Sequence, residues 1–260
     1  MPAPQPLAPC VSEGAPPLEA ALRYLDEGRF PQALSCAAQA SAFYPDAVAP
    51  HAARGEALAA LGRTAEAQLA YARALALEPG NLEALLGAAH LYAVQLPSSR
   101  EHDELGALYA ERGLASSTHS EEWLPRFALV ASMALNDLGQ SADALARATL
   151  VLKYEPGNRE ALYERALALF ELCRFPEARE AFSALLEDPQ RGAHAHHHLG
   201  LLLEREGRWE EAEAHFDKAR ALSPEDFPVP PLPSEAEFRE EVARAVEELP
   251  EDMRRDLLGV

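Results

Sequence analysis

Cysteine is scarce in this chain: Cys10, Cys36 and Cys173 are the only three among 260 residues, odd in number and far apart. That excludes a small fold stapled by several disulfides and any Cys-x-x-Cys pair, and it leads us to expect reduced thiols in a cytoplasmic protein. A phosphate-binding glycine loop, a dinucleotide fingerprint, a Gly-x-Ser-x-Gly elbow and a His-Glu-x-x-His helix are all missing, so no catalytic residue, metal site or cofactor is expected. No apolar run is long enough to span a membrane. The first seventeen residues hold six prolines and no Lys or Arg, so they lack the basic start and the apolar run of a signal peptide. Residues 1–14 are expected to be disordered, and Cys10, in the sequence LAPC, has no hydrophobic stretch before it. Basic side chains number 23 against 42 acidic ones, a formal charge of −19, with no basic stripe interleaved with aromatics. Such a surface repels nucleic acid and anionic lipid, and its first effect is to keep an alanine-rich chain soluble.

What the chain does contain is a period. Gly28 is followed thirty-four residues later by Gly62, and Gly139 in the same way by Cys173 and Gly207. Five residues after each of these stands an alanine (Ala33, Ala67, Ala144, Ala178 and Ala212), and seventeen after comes Pro45, Pro79, Pro156 or Pro224, with Pro189 one residue early. A fixed period of this length predicts stacked helical hairpins. In the last copy, Leu199, Gly200 and Leu203 share one helix, Gly207 turns the chain, and Ala212, Phe216 and Ala219 share the next. Small side chains at Gly200 and Ala212 let two axes approach, and Phe216 is expected to fill the gap toward the neighbouring pair.

This pattern resembles the tetratricopeptide-repeat family. The resemblance implies an all-α, right-handed superhelical solenoid of about six hairpins over residues 15–222, whose units begin near Gly14, Val48, Leu82, Pro125, Arg159 and Ala193. Forty-three residues instead of thirty-four separate the third start from the fourth. The third hairpin is therefore expected to be irregular over 96–121, with a displaced short second helix around Leu105, Leu108 and Tyr109 and a long loop carrying Ser116, Ser117, Thr118 and Ser120. Thr64 and Ser141 stand where an N-cap is expected, and Pro31 and Pro176 where a first helical turn is.

In that family the first helices line a concave groove, and positions two, five, six, nine, twelve and thirteen of each unit commonly face a ligand. At the fifth and ninth positions this chain places Leu18 and Leu22, Ala52 and Glu56, Leu86 and His90, Leu129 and Met133, Tyr163 and Leu167, His197 and Leu201. The row lacks the Lys, Arg and Asn with which some relatives grip a terminal carboxylate. It suits an amphipathic or apolar segment of a protein partner or of this chain itself, or else it packs between neighbouring first helices. His194, His196, His197 and His198 form the one dense histidine run. His194 and His198 share a helix face, but the run occupies ordinary repeat positions, and His215 on the partner helix shows no common face with it.

After residue 222 the composition changes. Pro224, Pro228, Pro230, Pro231 and Pro233 predict an extended linker over 223–234, and Ser234 can cap an amphipathic helix within 235–260 carrying Phe238, Val242, Ala245, Val246 and Leu249. Together with Pro250, Leu257, Leu258 and Val260, this segment resembles the opening of a small zincin-like metallopeptidase domain, which in bacterial relatives can follow such repeats through a proline-rich joint. That family's zinc helix lies further downstream, so no metal or catalytic residue carries over. A helix that caps the last hairpin is the other reading. The sequence thus leads to a non-catalytic scaffold for protein or peptide partners, with the regulatory or substrate-recruiting part of a zincin-like metallopeptidase as the alternative.

Overall fold

The computed structural model describes residues 9–11, 14–118, 120–229, 234–251 and 253–254. Most of the expected disordered N-terminus, Pro230, Pro231 and Pro233 of the linker, and Leu257, Leu258 and Val260 lie outside the described residues. Among the described residues the chain is entirely helical, without a strand. Six hairpins follow one another: α1 (Pro17–Asp26) with α2 (Phe30–Phe43), α3 (Val48–Ala60) with α4 (Thr64–Leu77), and α5 (Leu82–His90) with α6 (Arg100–Ser116). They continue as α7 (Trp123–Asp137) with α8 (Ser141–Tyr154), α9 (Arg159–Glu171) with α10 (Phe175–Ser183), and α11 (Gly192–Arg205) with α12 (Trp209–Leu222). A thirteenth helix, α13, spans Glu235–Glu248.

The periodic glycines make the turns. Gly28, Gly62, Gly139 and Gly207 all have φ between 69° and 74°, the left-handed region that a Cβ disfavours. In the second hairpin Gly62 N–H donates to Ala59 O at 3.0 Å and Arg63 N–H reaches back to Leu58 O at 2.9 Å, so the last carbonyls of α3 are satisfied as the chain reverses. The fifth hairpin makes the same turn with Cys173 at φ 58°. The expected caps are displaced by one residue: Thr64 and Ser141 are the first helical residues, and Arg63 and Gln140 hold the capping positions without a side-chain bond to the helix. The tight turn brings the chain straight into the helix, and the Arg63 guanidinium pairs with Glu66 in the first turn at 2.6 Å. True side-chain caps are Asn81, Ser99, Asn158 and Ser234, whose oxygens accept from the backbone three residues on. Pro31 and Pro176 do sit in first turns.

Rings seated on bare backbone set the spacing within and between hairpins. A Cβ added to Gly55 would meet the Tyr71 ring at 2.6 Å, and one on Gly87 of the next hairpin would meet it at 2.4 Å. Tyr71 therefore bridges two hairpins while only 4% exposed. Phe216 repeats half of this contact, lying over Gly200 of its own pair, and its ring meets His197 of the same pair at 5.6 Å.

The third hairpin departs most from the period. Its first helix ends in a π-helical turn, Leu91–Gln95, and its second helix, α6, runs for 17 residues. The extra chain is therefore mostly helix rather than the long loop expected, and Ser116 belongs to α6. Insertion here is absorbed by widening one helix end and lengthening the next, which keeps backbone groups paired.

The thiol expectation is overturned: Cys10 and Cys36 form a disulfide between the N-terminal segment and α2. Tyr24 Oη donates to Val11 O at 2.6 Å beside it, so this segment is strapped to the first hairpin. Cys36 is 0% exposed, a burial the spacing of the cysteines could not reveal. At the other end, α13 opens with a capping box in which Ser234 and Glu237 satisfy each other's backbone N–H, yet it buries none of its residues. Its Phe238 and Val242 are 59% and 46% exposed.

Two substitutions should move stability in opposite directions. A Cβ on Gly113 would lie 2.1 Å from the fully buried Phe127 ring. Gly113→Ala should therefore cost roughly 1 to 3 kcal/mol by overpacking, despite a helix-propensity gain of up to about 1 kcal/mol. Cys173→Gly should add about 1 kcal/mol by removing left-handed strain. Urea midpoints that fail to shift apart would contradict this account of the turns and the packing.

Candidate functional site: the inner face of the first helices

A thirty-four-residue period places each position of a unit at the same point on every first helix, so side chains form rows along the array. α1 packs on α3, α3 on α5, α5 on α7 and α7 on α9, whereas the second helices do not pair extensively with one another. The first helices thus form the inner, shorter arc. Between the fifth hairpin and α11 the stacking is carried by rings: His198 stacks on Phe182 of α10 at 4.6 Å, and Tyr163 of α9 meets His194 at 5.8 Å and His198 at 6.2 Å.

The structure divides the predicted row. Tyr163 and Ala52 are buried, 6% and 7% exposed, and belong to the core. Leu18, Leu86 and Leu129 are half-buried and packed against the main core, and Leu167 against the second cluster around Phe182. Met133, His197 and Leu201 are half-buried, while Leu22, Glu56 and His90 are exposed. The row therefore shows apolar flanks without being a continuous open strip.

Glu56, His90 and Asp137 are open to water, yet loss of solvent is the leading influence on each, raising the two carboxyls and lowering the imidazole. They stand on first helices that pack on one another in succession, and neighbouring helices take part of their water. Glu56 on α3 also feels Arg126 on α7, which lowers it, and Asp26 on α1, which raises it.

A polar cluster sits where α7 meets α9. Asn136 Nδ2 donates to Glu164 Oε2 at 2.7 Å and to Glu164 O at 3.0 Å. Burial pushes the Glu164 carboxyl up to about 7, against the Asn136 bond and the Arg191 charge, which lower it. Arg191 donates through Nε to Glu160 at 2.8 Å and lies over the Tyr163 ring at 4.6 Å. Asp103, only 3% exposed, accepts from Ser98 Oγ at 3.1 Å and adds to the rise of Asp137. The sequence reading missed these residues because it followed positions five and nine. Asn136, Asp137 and Glu164 occupy the twelfth, thirteenth and sixth positions, which the same repeat logic makes available; Asp103 lies in the irregular region and carries no periodic signal.

The histidine run resolves into packing with one correction. His198 donates from Nδ1 to His194 O at 2.8 Å, and burial drives it down to about 4. His196 and His215 do share a face: their Nδ1 atoms are 2.9 Å apart, so one donates and the other accepts. Adjacent turns of the antiparallel α11 and α12 align there, which spacing along either helix alone does not show. Among the described residues no three His, Cys, Asp or Glu side chains are grouped to hold a metal ion. Phe227, in the segment after α12, folds back to stack on His197 at 4.8 Å and meets His194 edge-on at 5.2 Å. No helix among the described residues is long and apolar enough to cross a membrane.

The tetratricopeptide-repeat family profile matches residues 18–81, 129–191 and 170–227, together more than half of the chain. No curated protein matches. Among solved structures, YrrB, described as a tetratricopeptide-repeat protein with an unusual peptide-binding site, is similar at 20% identity and a TM-score of 0.59, covering 74% of this chain and 94% of its own. PilF of Pseudomonas aeruginosa gives 17% identity and a TM-score of 0.63, covering 88% and 96%. PilW, described as a type IV pilus biogenesis factor, gives 18% and 0.64, covering 80% and 93%. At such identities the likeness is one of fold.

Glu164 makes the electrostatics of this face measurable. Its folded value of about 7 lies above the ordinary 4.5, so below pH 4.5 the group is neutral in both states and costs nothing. As pH rises from there to about 7 the unfolded chain ionises first and stability falls, by about 3 kcal/mol at most, and it stays reduced above. Glu164→Gln keeps an acceptor for Asn136 and should raise the melting temperature at pH 8 while leaving it unchanged at pH 4. An equal shift at both values would remove the buried charge as the cause.

Proposed function

Since the chain belongs to the tetratricopeptide-repeat family, whose arrays bind protein partners, we propose that it is a non-catalytic scaffold receiving an apolar or amphipathic segment along the inner face of its first helices. The observation that carries this reading is Phe227. An apolar side chain from an irregular segment already rests on His197, one of the expected ligand-facing positions. Half-buried Leu129, Met133 and Leu167 offer similar footing on α7 and α9, and burying such side chains under a partner supplies affinity roughly in proportion to the apolar area covered. The likeness to a structure described by its peptide-binding site agrees with this use of the fold.

The setting follows from the cysteines. Cytoplasm rested on reduced thiols, and the Cys10–Cys36 bond withdraws that support in favour of an oxidising compartment. The metallopeptidase alternative draws on one observation, that α13 buries none of its residues against the array, as the first helix of a further unit would not. An open frame encoding His-Glu-x-x-His beyond the codon for Val260 would support it, and a stop codon there would dismiss it.

The scaffold reading is tested with peptides selected on the intact protein from a random dodecapeptide phage library. Leu129→Glu and Leu167→Glu should each abolish capture of the selected peptides, with helical circular dichroism retained and the melting temperature within a few degrees. Unfolding of both variants, or capture that survives both, would place this row in the core and the binding elsewhere.

A further inference from the structure

The inner face carries charge predominantly of one sign. Asp26 on α1, Glu56 on α3, Asp137 on α7 and Glu160 on α9 stand on it, against Arg126 and Arg191. Arg191 is already engaged by Glu160 and by the Tyr163 ring. Asp26 on α1 and Arg126 on α7 both act on Glu56 of α3, and α1, α3, α5 and α7 pack in succession, so these side chains face one hollow.

Asp137 is the focus. It is exposed within the hollow, where Asp103 raises it and it in turn raises Glu164. Behind it Asp103 is 3% exposed, and its Oδ1, buried, has no hydrogen-bond partner among the described residues. Half-buried Met133 lies one turn before Asp137 on the same face of α7, and Leu167 one turn beyond Glu164 on α9. Asp137 is thus an exposed carboxylate with apolar flanks, on a helix packed against α6, which carries the buried Asp103. Without three grouped ligand side chains among the described residues, the cation that suits it is one bringing its own donors and an aliphatic stem, as Lys and Arg do.

We infer that the inner face selects partner segments bearing Lys or Arg, the cationic head seated at Asp137 in front of Asp103 and the stem lying along Met133 and Leu167. The inference rests on the scaffold reading and adds to it the chemistry of the partner. It also identifies what the hollow refuses. α13 carries six Glu against two Arg between residues 235 and 248, so this chain's own amphipathic helix, whether from the same molecule or a second copy, is repelled by the face it would otherwise fit.

The dodecapeptide selection decides it. Enrichment of Lys and Arg beside apolar residues is expected, and those peptides should bind the double variant Asp137→Asn with Glu56→Gln at least tenfold more weakly. Asp143→Asn with Glu180→Gln, which removes equal charge from the second helices α8 and α10, should leave their affinity unchanged. Selected peptides that are apolar but neutral, or acidic in the manner of α13, would overturn this inference while leaving the scaffold reading intact. Equal losses in both double variants would reduce the preference to diffuse attraction toward an acidic protein and overturn it as well. A selection that enriches nothing would defeat both readings together.

Discussion

The close approach of helix to helix, made where an aromatic ring lies on a residue with no side chain, is the constraint on which the rest of this array depends. Tyr71 touches backbone at Gly55 and Gly87 at once, and Phe127 does so at Gly113. Such contacts fix the distance between axes more tightly than interdigitated leucines would, because a ring cannot yield by changing rotamer when its seat is peptide. The left-handed turns then need only reverse the chain over a set gap. From the fifth hairpin to α11 the same task falls to rings that meet rings, Tyr163 with His194 and Phe182 with His198.

That geometry has an electrostatic counterpart. When first helices stack along an inner arc, the side chains on it face one another across water that is partly excluded, and charges on helices two hairpins apart come to influence each other, as Glu56 and Arg126 do. The same charge is less screened in the hollow than on the outer face, which stands in open solvent. Ion pairs such as Arg63–Glu66 and Arg174–Glu177 lie at exposed helix starts and add little to stability. The buried carboxyl of Glu164 is of another kind, since it opposes folding at neutral pH and remains where a cation could compensate it.

The starts of the hairpins were legible because a glycine in the left-handed region and an alanine at a helix crossing leave the chain few substitutes; Val48, Leu82 and Arg159 begin helices at the residues the period marks. The caps were read one residue late, since Thr64 and Ser141 look like capping residues in isolation and the turn geometry decides otherwise. The disulfide was invisible, because two cysteines twenty-six residues apart pair only if the N-terminal segment returns to α2. The inner face was half legible. Its apolar positions follow from the period, but burial separates Tyr163, which became core, from Met133, which remained half-buried. The pairing of Asn136 with Glu164 is a contact between hairpins, and no local spacing records it.

The two ends of the array are unequal. The first hairpin is strapped by the Cys10–Cys36 bond and by Tyr24 on Val11, whereas among the described residues α12 buries only Ala212 and Ala219, and α13 buries none of its own. A solenoid stores its cohesion in nearest-neighbour interfaces, so its amide protons exchange by fraying inward from whichever end is less secured. Here the covalent strap lies at one end alone among the described residues, which favours opening of the sixth hairpin before the first. The stretch of inner face bearing His197 and Phe227 is accordingly the most transient part of the hollow, and the stretch around Leu18 and Asp26 the most persistent.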